Sequence, residues 1–312
     1  MRIITLFILS IIYAGLFEYV YLANSDTLDI DNYLVGINRF SEYKTYWPSI
    51  TAWVAFSLVF WALYEWASVF IFHGDGVYSL LLFSLVGLFL IARVLSNSRS
   101  LSLVSQLAII FLLLNPRFLD LALSQQRNFL AAAFVITGFL VARRSLILGY
   151  LIITFATLIH LSTLLFLFLL IFYKTLKKFN PGNSFVIFFA TIFSVVLITA
   201  YIFAEQILGR QVLFQKSSYL YATMWFGLTV LYIAIKPSAI QSEFGFTYYV
   251  LILISVLGMS FGIYGSRLIG LAIPFLAVSI HHENIKNPFV LIMIFIIWVL
   301  SLGYWIKYQV YL

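Results

Sequence analysis

Four polar residues, Gln125, Gln126, Arg127 and Asn128, stand together just before an apolar run rich in alanine. The start of a helix presents backbone N–H groups and the positive end of the helix dipole, and both favour an anion. A guanidinium adds a forked donor that matches phosphate. We therefore predict that Arg127 binds a phosphate-like group, with Gln126 and Asn128 in support. The alternative is an arginine that reaches an interface without binding a ligand.

A single histidine, His160, lies deep in apolar sequence, two residues before Ser162. An ionisable side chain in such a place is a candidate functional residue, either as a general base or as a hydrogen-bond donor to a sugar or phosphate. Ser162 is a neighbouring polar group that could support it. The alternative is a neutral, structural histidine that is hydrogen-bonded to a backbone carbonyl.

Carboxylates offer a second kind of base. Glu65 lies in the aromatic stretch Trp61–Trp66, whose rings are natural platforms for sugars and are equally typical of a membrane interface. Asp29 belongs to an aspartate-rich stretch near the N-terminus, which could also serve only to keep a loop solvated. We rank His160 first and Glu65 second as the base, with Asp29 as a further candidate.

Two more arginines, Arg210 and Arg267, stand beside predicted helix ends on the same predicted face as Arg127. Each alone is typical of an ordinary surface charge, whereas the three together favour an anion site. The adjacent His281 and His282 point in different directions on a helix, and the chain has no cysteine. We therefore predict no metal site and no cofactor.

Composition determines what kind of molecule must position these residues. A soluble domain needs about a quarter of its residues charged, whereas this chain of 312 residues has 9% charged and 63% hydrophobic residues. We therefore predict one transmembrane domain over residues 1–312, with no separate soluble domain. The formal charge of +7 suits anionic lipid or phosphate ligands. Nucleic acid is not an expected partner.

The spacing of the apolar runs predicts an all-α polytopic membrane protein with about 10–12 transmembrane or re-entrant helices, since a span needs about 20 residues. An open sheet cannot satisfy its backbone in lipid. The runs cover residues 3–23, 48–72, 77–95, 103–114, 128–142, 146–173, 183–203, 219–235, 246–264, 266–280 and 288–306.

Basic residues predict an unusual path for one of these runs. The pair Arg143–Arg144 and the lysine cluster 174–178 flank the same run, 145–173, and basic flanks are typically cytoplasmic. We therefore predict that this run enters the membrane and returns as a hairpin of two short helices, with His160 near its apex. The alternative is one long, tilted helix.

A second irregularity is predicted near the start of the chain. With a cytoplasmic N-terminus, the run 48–72 must enter and leave on the same side. We interpret it as a re-entrant or interfacial pair of helices, broken near Glu65. The alternative is an external N-terminus.

The chain resembles the EpsG-like group of Wzy-type polysaccharide polymerases, loosely from about residue 29 to residue 280. The resemblance is carried by the helix start Gln126–Phe134, by the basic turn Arg143–Arg144, and by the segment Ala156–Ser162, which contains a histidine followed two residues later by a serine. Asn128 stands where the group usually has glutamine.

The resemblance implies a glycosyltransferase at the outer face of a bacterial inner membrane, for which a GT-C-like fold is one possible architecture. It would transfer a growing glycan from undecaprenyl diphosphate onto a new lipid-linked repeat unit. The implied partners are the undecaprenyl-diphosphate-linked oligosaccharide and polysaccharide, membrane lipid, a flippase and a chain-length regulator.

In such an enzyme, three arginines would bind the diphosphate, one of the three base candidates would accept the proton, and nearby polar groups would support the sugars. The expected diphosphate ligands are Arg127, Arg267 and Arg210. The candidate bases are His160, Glu65 and Asp29. The residues expected to support the sugars are Gln126, Asn128 and Ser162.

Two other classes fit the same composition. A transporter or flippase of lipid-linked sugars also needs external basic residues, but it usually shows inverted repeats, and we find none in the sequence. A membrane O-acyltransferase would need a buried histidine reached from the cytoplasmic side, whereas the predicted topology places His160 nearer the external side.

Overall fold

The computed structural model describes residues 3–18, 58–96, 101–208, 219–259 and 265–309. Within these ranges the regular structure is entirely helical, so the all-α prediction is confirmed. The predicted site residues Asp29 and Arg210 lie outside the described residues, as does the rest of the aspartate-rich stretch.

Thirteen α-helices and two short 3₁₀ segments, Leu161–Thr163 and Pro237–Gln241, occupy the described residues. The α-helices are α1 (Ile3–Phe17), α2 (Leu58–Phe70), α3 (Gly76–Ser96), α4 (Leu103–Leu113), α5 (Pro116–Leu123), α6 (Gln126–Ala142), α7 (Leu146–Ile159), α8 (Leu164–Lys177), α9 (Asn183–Leu208), α10 (Tyr219–Ile235), α11 (Glu243–Gly258), α12 (Gly265–Glu283) and α13 (Pro288–Gln309).

One helix, α5, was not predicted, because Arg117 and Asp120 interrupt its apolar residues. It begins where Asn115 accepts a hydrogen bond from the Arg117 backbone N–H through its side-chain oxygen, at 3.0 Å. Pro116 occupies the first helical position, where proline is well tolerated because its missing N–H has no helical partner. The Asn-Pro pair is the sequence signal for this helix start.

By length and composition, one described helix, α3, could cross a membrane by itself. Helices α4 and α5 pass the same test only when they are joined, and they are bent by 51° at the break between them. Seven further apolar helical stretches in the described ranges have 10–17 residues. The number of 10–12 transmembrane or re-entrant helices therefore stays a prediction.

The chain groups into two compact units. The first takes its described residues from Met1–Asn97 and Leu119–Phe168, and the second from Ser98–Phe118 and Leu169–Leu312. The first unit contains most of the predicted site.

Helix α6 is the centre of the first unit and packs against α3 on one side. At Gly87 the two helices are so close that an added Cβ would lie 2.6 Å from the Phe129 ring. Ser84 of α3, which is fully buried, donates to the carbonyl oxygen of Ala122 at 2.5 Å. These contacts fix the start of α6 against α3.

On its other side α6 packs against α7 through small residues. A Cβ on Gly149 would lie 2.7 Å from Cα of Ala142, and one on Gly138 would lie 3.1 Å from the Gly149 carbonyl oxygen. Small side chains allow two helix backbones to approach closely, as Gly138, Ala142 and Gly149 do here.

Helix α2 completes the first unit by packing against both α3 and α7. The ring centroid of Phe60 on α2 lies 5.4 Å from the ring centroid of Phe83 on α3, and that of Tyr64 lies 6.5 Å from it. All three side chains are buried. This aromatic contact holds the helix that carries Glu65. Because that helix is continuous from Leu58 to Phe70, the predicted break near Glu65 is wrong.

We expect Gly149→Ala to destabilise the protein, because the added methyl group meets the backbone of α6 and not a side chain that could move. Overpacking of this kind typically costs about 1–3 kcal/mol, which lowers the Tm of a chain this large by several degrees. The control is Gly227→Ala in α10, where an added Cβ meets no described atom within 4 Å. Equal Tm values for the two variants in detergent would contradict the close α6–α7 contact.

In the second unit, α11 is the central helix and packs against α9, α10 and α12. Gln241, at the end of the second 3₁₀ segment, joins three neighbours: it donates to Pro181 O at 3.0 Å and Asn183 Oδ1 at 2.9 Å, and accepts from Lys177 Nζ at 2.7 Å. The Tyr173 hydroxyl donates to its carbonyl oxygen. The ends of α8, α9 and α11 therefore meet at one end of this unit.

Two other loops lie at the same end of the second unit. The Ser102 backbone N–H donates a hydrogen bond to Asn284 Oδ1 at 2.8 Å. Lys236 forms an ion pair with Glu283 at 3.4 Å, and Ser238 donates to the same carboxylate at 3.0 Å. The loops before α4, after α10 and after α12 thus share one end of the second unit.

The run 145–173 is interrupted at His160, as predicted. Helix α7 ends at Ile159, the 3₁₀ turn follows, and α8 begins at Leu164. The return of the chain to the cytoplasmic side stays a prediction, because the chain passes from the first unit to the second within α8.

Cysteine labelling tests this predicted return. In this cysteine-free chain, Arg144→Cys and Lys178→Cys, both at exposed positions, are expected to react with an impermeant maleimide from the same, cytoplasmic side. As a control, Tyr219→Cys at the exposed start of α10 is expected to react from the opposite side. Labelling of positions 144 and 178 from opposite sides would show a single crossing.

Candidate functional site

The start of α6 carries three of the predicted site residues on consecutive positions. The residue before it, Gln125, makes no side-chain capping bond to the helix. The N-terminus of a helix favours an anion through its N–H groups and dipole. Arg127, which is half-buried, adds a permanent positive charge there.

Amide oxygens without donors also lie at this helix start. Gln126 is fully buried and donates through Nε2 to the Leu123 carbonyl oxygen, while its Oε1 receives no hydrogen bond from the described part of the chain. Asn128 donates to Gln125 Oε1 at 3.2 Å, and among the described residues its Oδ1 has no donor either. A buried acceptor left without a donor costs about 1–3 kcal/mol, so a ligand hydroxyl that donated here would be favoured.

His160 is held by the break between α7 and the 3₁₀ turn. Its backbone is extended, and its N–H still donates to Ala156 O at 2.9 Å. Its carbonyl oxygen accepts from Thr163, both from the N–H at 3.0 Å and from the hydroxyl at 2.7 Å. The ring Nδ1 accepts the Ser162 N–H at 3.1 Å, with Ser162 Oγ at 2.7 Å. The turn therefore fixes both the backbone and the ring of His160.

The packing of α6 against α7 determines where His160 lies along α6. The two helices run antiparallel, because Ala142 meets Gly149 near the turn that joins them, whereas Phe134 meets Phe155 farther along, with ring centroids 5.2 Å apart. Moving toward the end of α7 thus means moving toward the start of α6.

Continuing this register places His160 opposite residues 127–131, the first turn and a half of α6. The 3₁₀ turn that follows His160 contacts α6 directly. At 1.5 Å per residue, His160 then lies within about 6 Å of Arg127 along the helix axis. The two polar segments that the sequence singled out are therefore neighbours in the first unit.

Glu65 belongs to the same unit. It lies half-buried on α2, and α2 contacts α7, the helix that ends at His160. The preceding residue, Tyr64, is fully buried, and its hydroxyl has no hydrogen-bond partner among the described residues. Sequence reasoning treated Tyr64 only as part of an aromatic stretch.

No family model, curated protein or solved structure matches this chain. What the chain does must therefore be inferred from the chemistry of these residues.

Of the remaining predicted residues, Asp29 and Arg210 lie outside the described residues. Arg267 is exposed on α12 in the second unit. Arg117, also in the second unit, was not selected from the sequence: its guanidinium lies over the Tyr221 ring at 5.7 Å, and the Tyr221 hydroxyl accepts from Ser301 at 2.9 Å. In the described ranges, no group of three or more histidine, cysteine, aspartate or glutamate side chains could hold a metal ion.

The arrangement in the first unit combines three chemical capacities. Arg127 and the α6 N-terminus can bind an anionic oxygen. The amide oxygens of Gln126 and Asn128 can accept hydroxyl donors. His160 and Glu65 can exchange or donate protons. A phosphorylated sugar substrate requires a site that binds an anion, accepts hydrogen bonds from hydroxyl groups and transfers a proton.

Proposed function

We propose that the protein is a polysaccharide polymerase, a membrane glycosyltransferase that transfers a growing glycan from undecaprenyl diphosphate onto a lipid-linked repeat unit. The observation that carries this proposal is the α6–α7 register, which brings the His160–Ser162 turn against the start of α6 with its Arg127. The resemblance to the EpsG-like group rests on the same two segments and on the basic turn Arg143–Arg144.

The proposed reaction needs stabilisation of its leaving group. The acceptor hydroxyl oxygen attacks the anomeric carbon, the bond from that carbon to the diphosphate oxygen breaks, and the electron pair leaves with the carrier diphosphate. Arg127 at the α6 N-terminus would bind this developing charge, which is the kind of electrostatic contribution that accelerates such steps most. Arg267 and Arg210 are proposed as further diphosphate ligands.

The acceptor hydroxyl must also lose its proton to a nearby base. Within the first unit the candidates are His160 and Glu65, and Asp29 is the candidate outside the described residues. Gln126, Asn128 and Ser162 would support the sugars through hydrogen bonds. The proposed reaction uses neither a metal nor a cofactor.

We further propose that the protein lies in the bacterial inner membrane with this site facing outward. Large apolar side chains are exposed on helices of both units, among them Ile147 (74%) on α7 and Phe188 (59%) on α9. Exposed apolar surface of this kind suits lipid contact. The proposed partners are the lipid-linked glycans, membrane lipid, a flippase and a chain-length regulator.

Reconstitution with defined substrates tests the proposal. Purified protein in liposomes that contain undecaprenyl-diphosphate-linked repeat units is expected to produce a ladder of lengthened glycans. A transporter or flippase would instead move the repeat units across the bilayer without lengthening them. Translocation without any ladder would overturn the polymerase proposal in favour of that class.

A further inference from the structure

We propose that His160 is a hydrogen-bond donor to an anionic substrate oxygen through its Nε2–H, and that it is not the base of the reaction. The identity of the ligand as a carrier diphosphate rests on the proposed function. The assignment of the donor atom rests only on the geometry of the 3₁₀ turn.

The backbone of Ser162 determines which ring nitrogen carries the proton. A backbone N–H is always a donor, and it points at His160 Nδ1 from 3.1 Å. Nδ1 must therefore offer its lone pair, and a neutral imidazole with an unprotonated Nδ1 has its one proton on Nε2. Ser162 Oγ, at 2.7 Å from the same nitrogen, can add its own hydroxyl hydrogen to this contact.

This tautomer makes His160 a poor base in the observed geometry. Nε2 already holds a proton, so it has no lone pair to accept another. Protonation at Nδ1 would convert the acceptor of the Ser162 N–H into a donor, and that hydrogen bond would be lost. The side chain also caps the 3₁₀ turn, so rotating the ring to present Nδ1 would remove the cap.

The position of His160 indicates what its Nε2–H would bind. The ring belongs to the turn that contacts α6. His160 lies opposite residues 127–131 of that helix, and Arg127 is one of them. A ligand bound at that arginine presents anionic oxygens. A neutral N–H donor beside a fixed positive charge adds hydrogen bonding to such an oxygen without repelling the guanidinium.

The proton of the acceptor hydroxyl then has to go elsewhere. We assign this role to Glu65, on the α2 helix that contacts α7. In the resulting step the hydroxyl oxygen bonds to the anomeric carbon, the diphosphate departs with its electron pair, and the proton passes to Glu65. His160 keeps its Nε2 proton throughout and stabilises the departing charge.

Two substitutions separate a donor from a base. In His160→Gln the amide N–H₂ can reach the position of Nε2–H, but an amide is not a base. In His160→Asn the side-chain oxygen can replace Nδ1 as the cap of the turn, but no donor reaches the Nε2 position. We expect His160→Gln to retain chain growth within about tenfold of wild type, and His160→Asn to lose about 10²-fold or more. Equal, complete loss in both folded variants would overturn the proposal.

Two further readouts do not depend on polymerisation. In ¹⁵N-histidine-labelled protein the His160 proton is expected on Nε2, with the resonance assigned by its loss in His160→Gln; a proton on Nδ1 would overturn the proposal. Inorganic pyrophosphate is expected to bind His160→Asn at least several-fold more weakly than His160→Gln. Equal pyrophosphate affinity would also overturn it. If wild-type protein shows the Nε2 tautomer and this difference but makes no glycan ladder, the polymerase proposal fails and the donor assignment stands.

Discussion

Replacing Arg127 with lysine is expected to lower the rate of chain growth by about 10²- to 10³-fold while the protein still folds. Arginine makes two parallel, charge-assisted hydrogen bonds to a phosphate, and its fork is rigid. Lysine keeps the charge but offers a single point donor on a flexible stem. The measurement is the rate and length of glycan made by reconstituted protein, with Tm as the check on folding.

A matched control distinguishes this role from an arginine that only anchors the helix. Arg144 follows α6 at its other end and is exposed, so Arg144→Lys should leave both chain growth and Tm unchanged. An anchoring arginine would tolerate lysine equally well, because lysine also extends its charge to an interface. Wild-type glycan lengths in Arg127→Lys would therefore remove Arg127 from the diphosphate site.

The parts of the fold that follow from local apolar runs could be predicted from the sequence. The α6 boundaries follow from an uninterrupted apolar stretch that ends at Arg143, and the end of α7 follows from the predicted interruption at His160 within the run 146–173. The close approach of these helices follows from their alanines and glycines, since small side chains let two backbones meet. Both segments that carry the site were therefore visible before the fold was known.

Other features depend on contacts between distant segments. The grouping of α2 with α7 depends on Phe60 and Tyr64 packing on Phe83, and one sequence does not show which aromatic residues meet. The role of His160 depends on a 3₁₀ turn that turns the Ser162 N–H toward Nδ1. Sequence alone ranked His160 first as the base because an ordinary histidine, with a pKa of about 6.5, is largely neutral near pH 7.

Helix α5 shows a different reason for failure. Arg117 and Asp120 keep its apolar residues from forming a run of spanning length. Asn115 and Pro116 carry the information as a start signal, and such signals matter more than hydropathy for short helices. This helix, α5, immediately precedes the segment with Gln126 and Arg127.

The second large effect is expected from Glu65→Gln. The amide has nearly the same size and shape as the carboxylate but cannot accept a proton, so the acceptor hydroxyl would have to attack the anomeric carbon without a base. General-base contributions are typically about 10²- to 10⁴-fold, and we expect a fall of that order in the rate of chain growth. Binding of inorganic pyrophosphate should stay within a few-fold of wild type, since Glu65 is not proposed as a phosphate ligand.

The control for this prediction is the same substitution at an exposed glutamate of the first unit. Glu18 is exposed at the end of α1, so Glu18→Gln removes one negative charge without touching the site and should leave chain growth unchanged. Glu65→Asp keeps a carboxylate on a shorter stem and should recover part of the activity lost in Glu65→Gln. Chain growth within twofold of wild type in Glu65→Gln would move the base to Asp29, because the lone pair of His160 Nδ1 already accepts the Ser162 N–H.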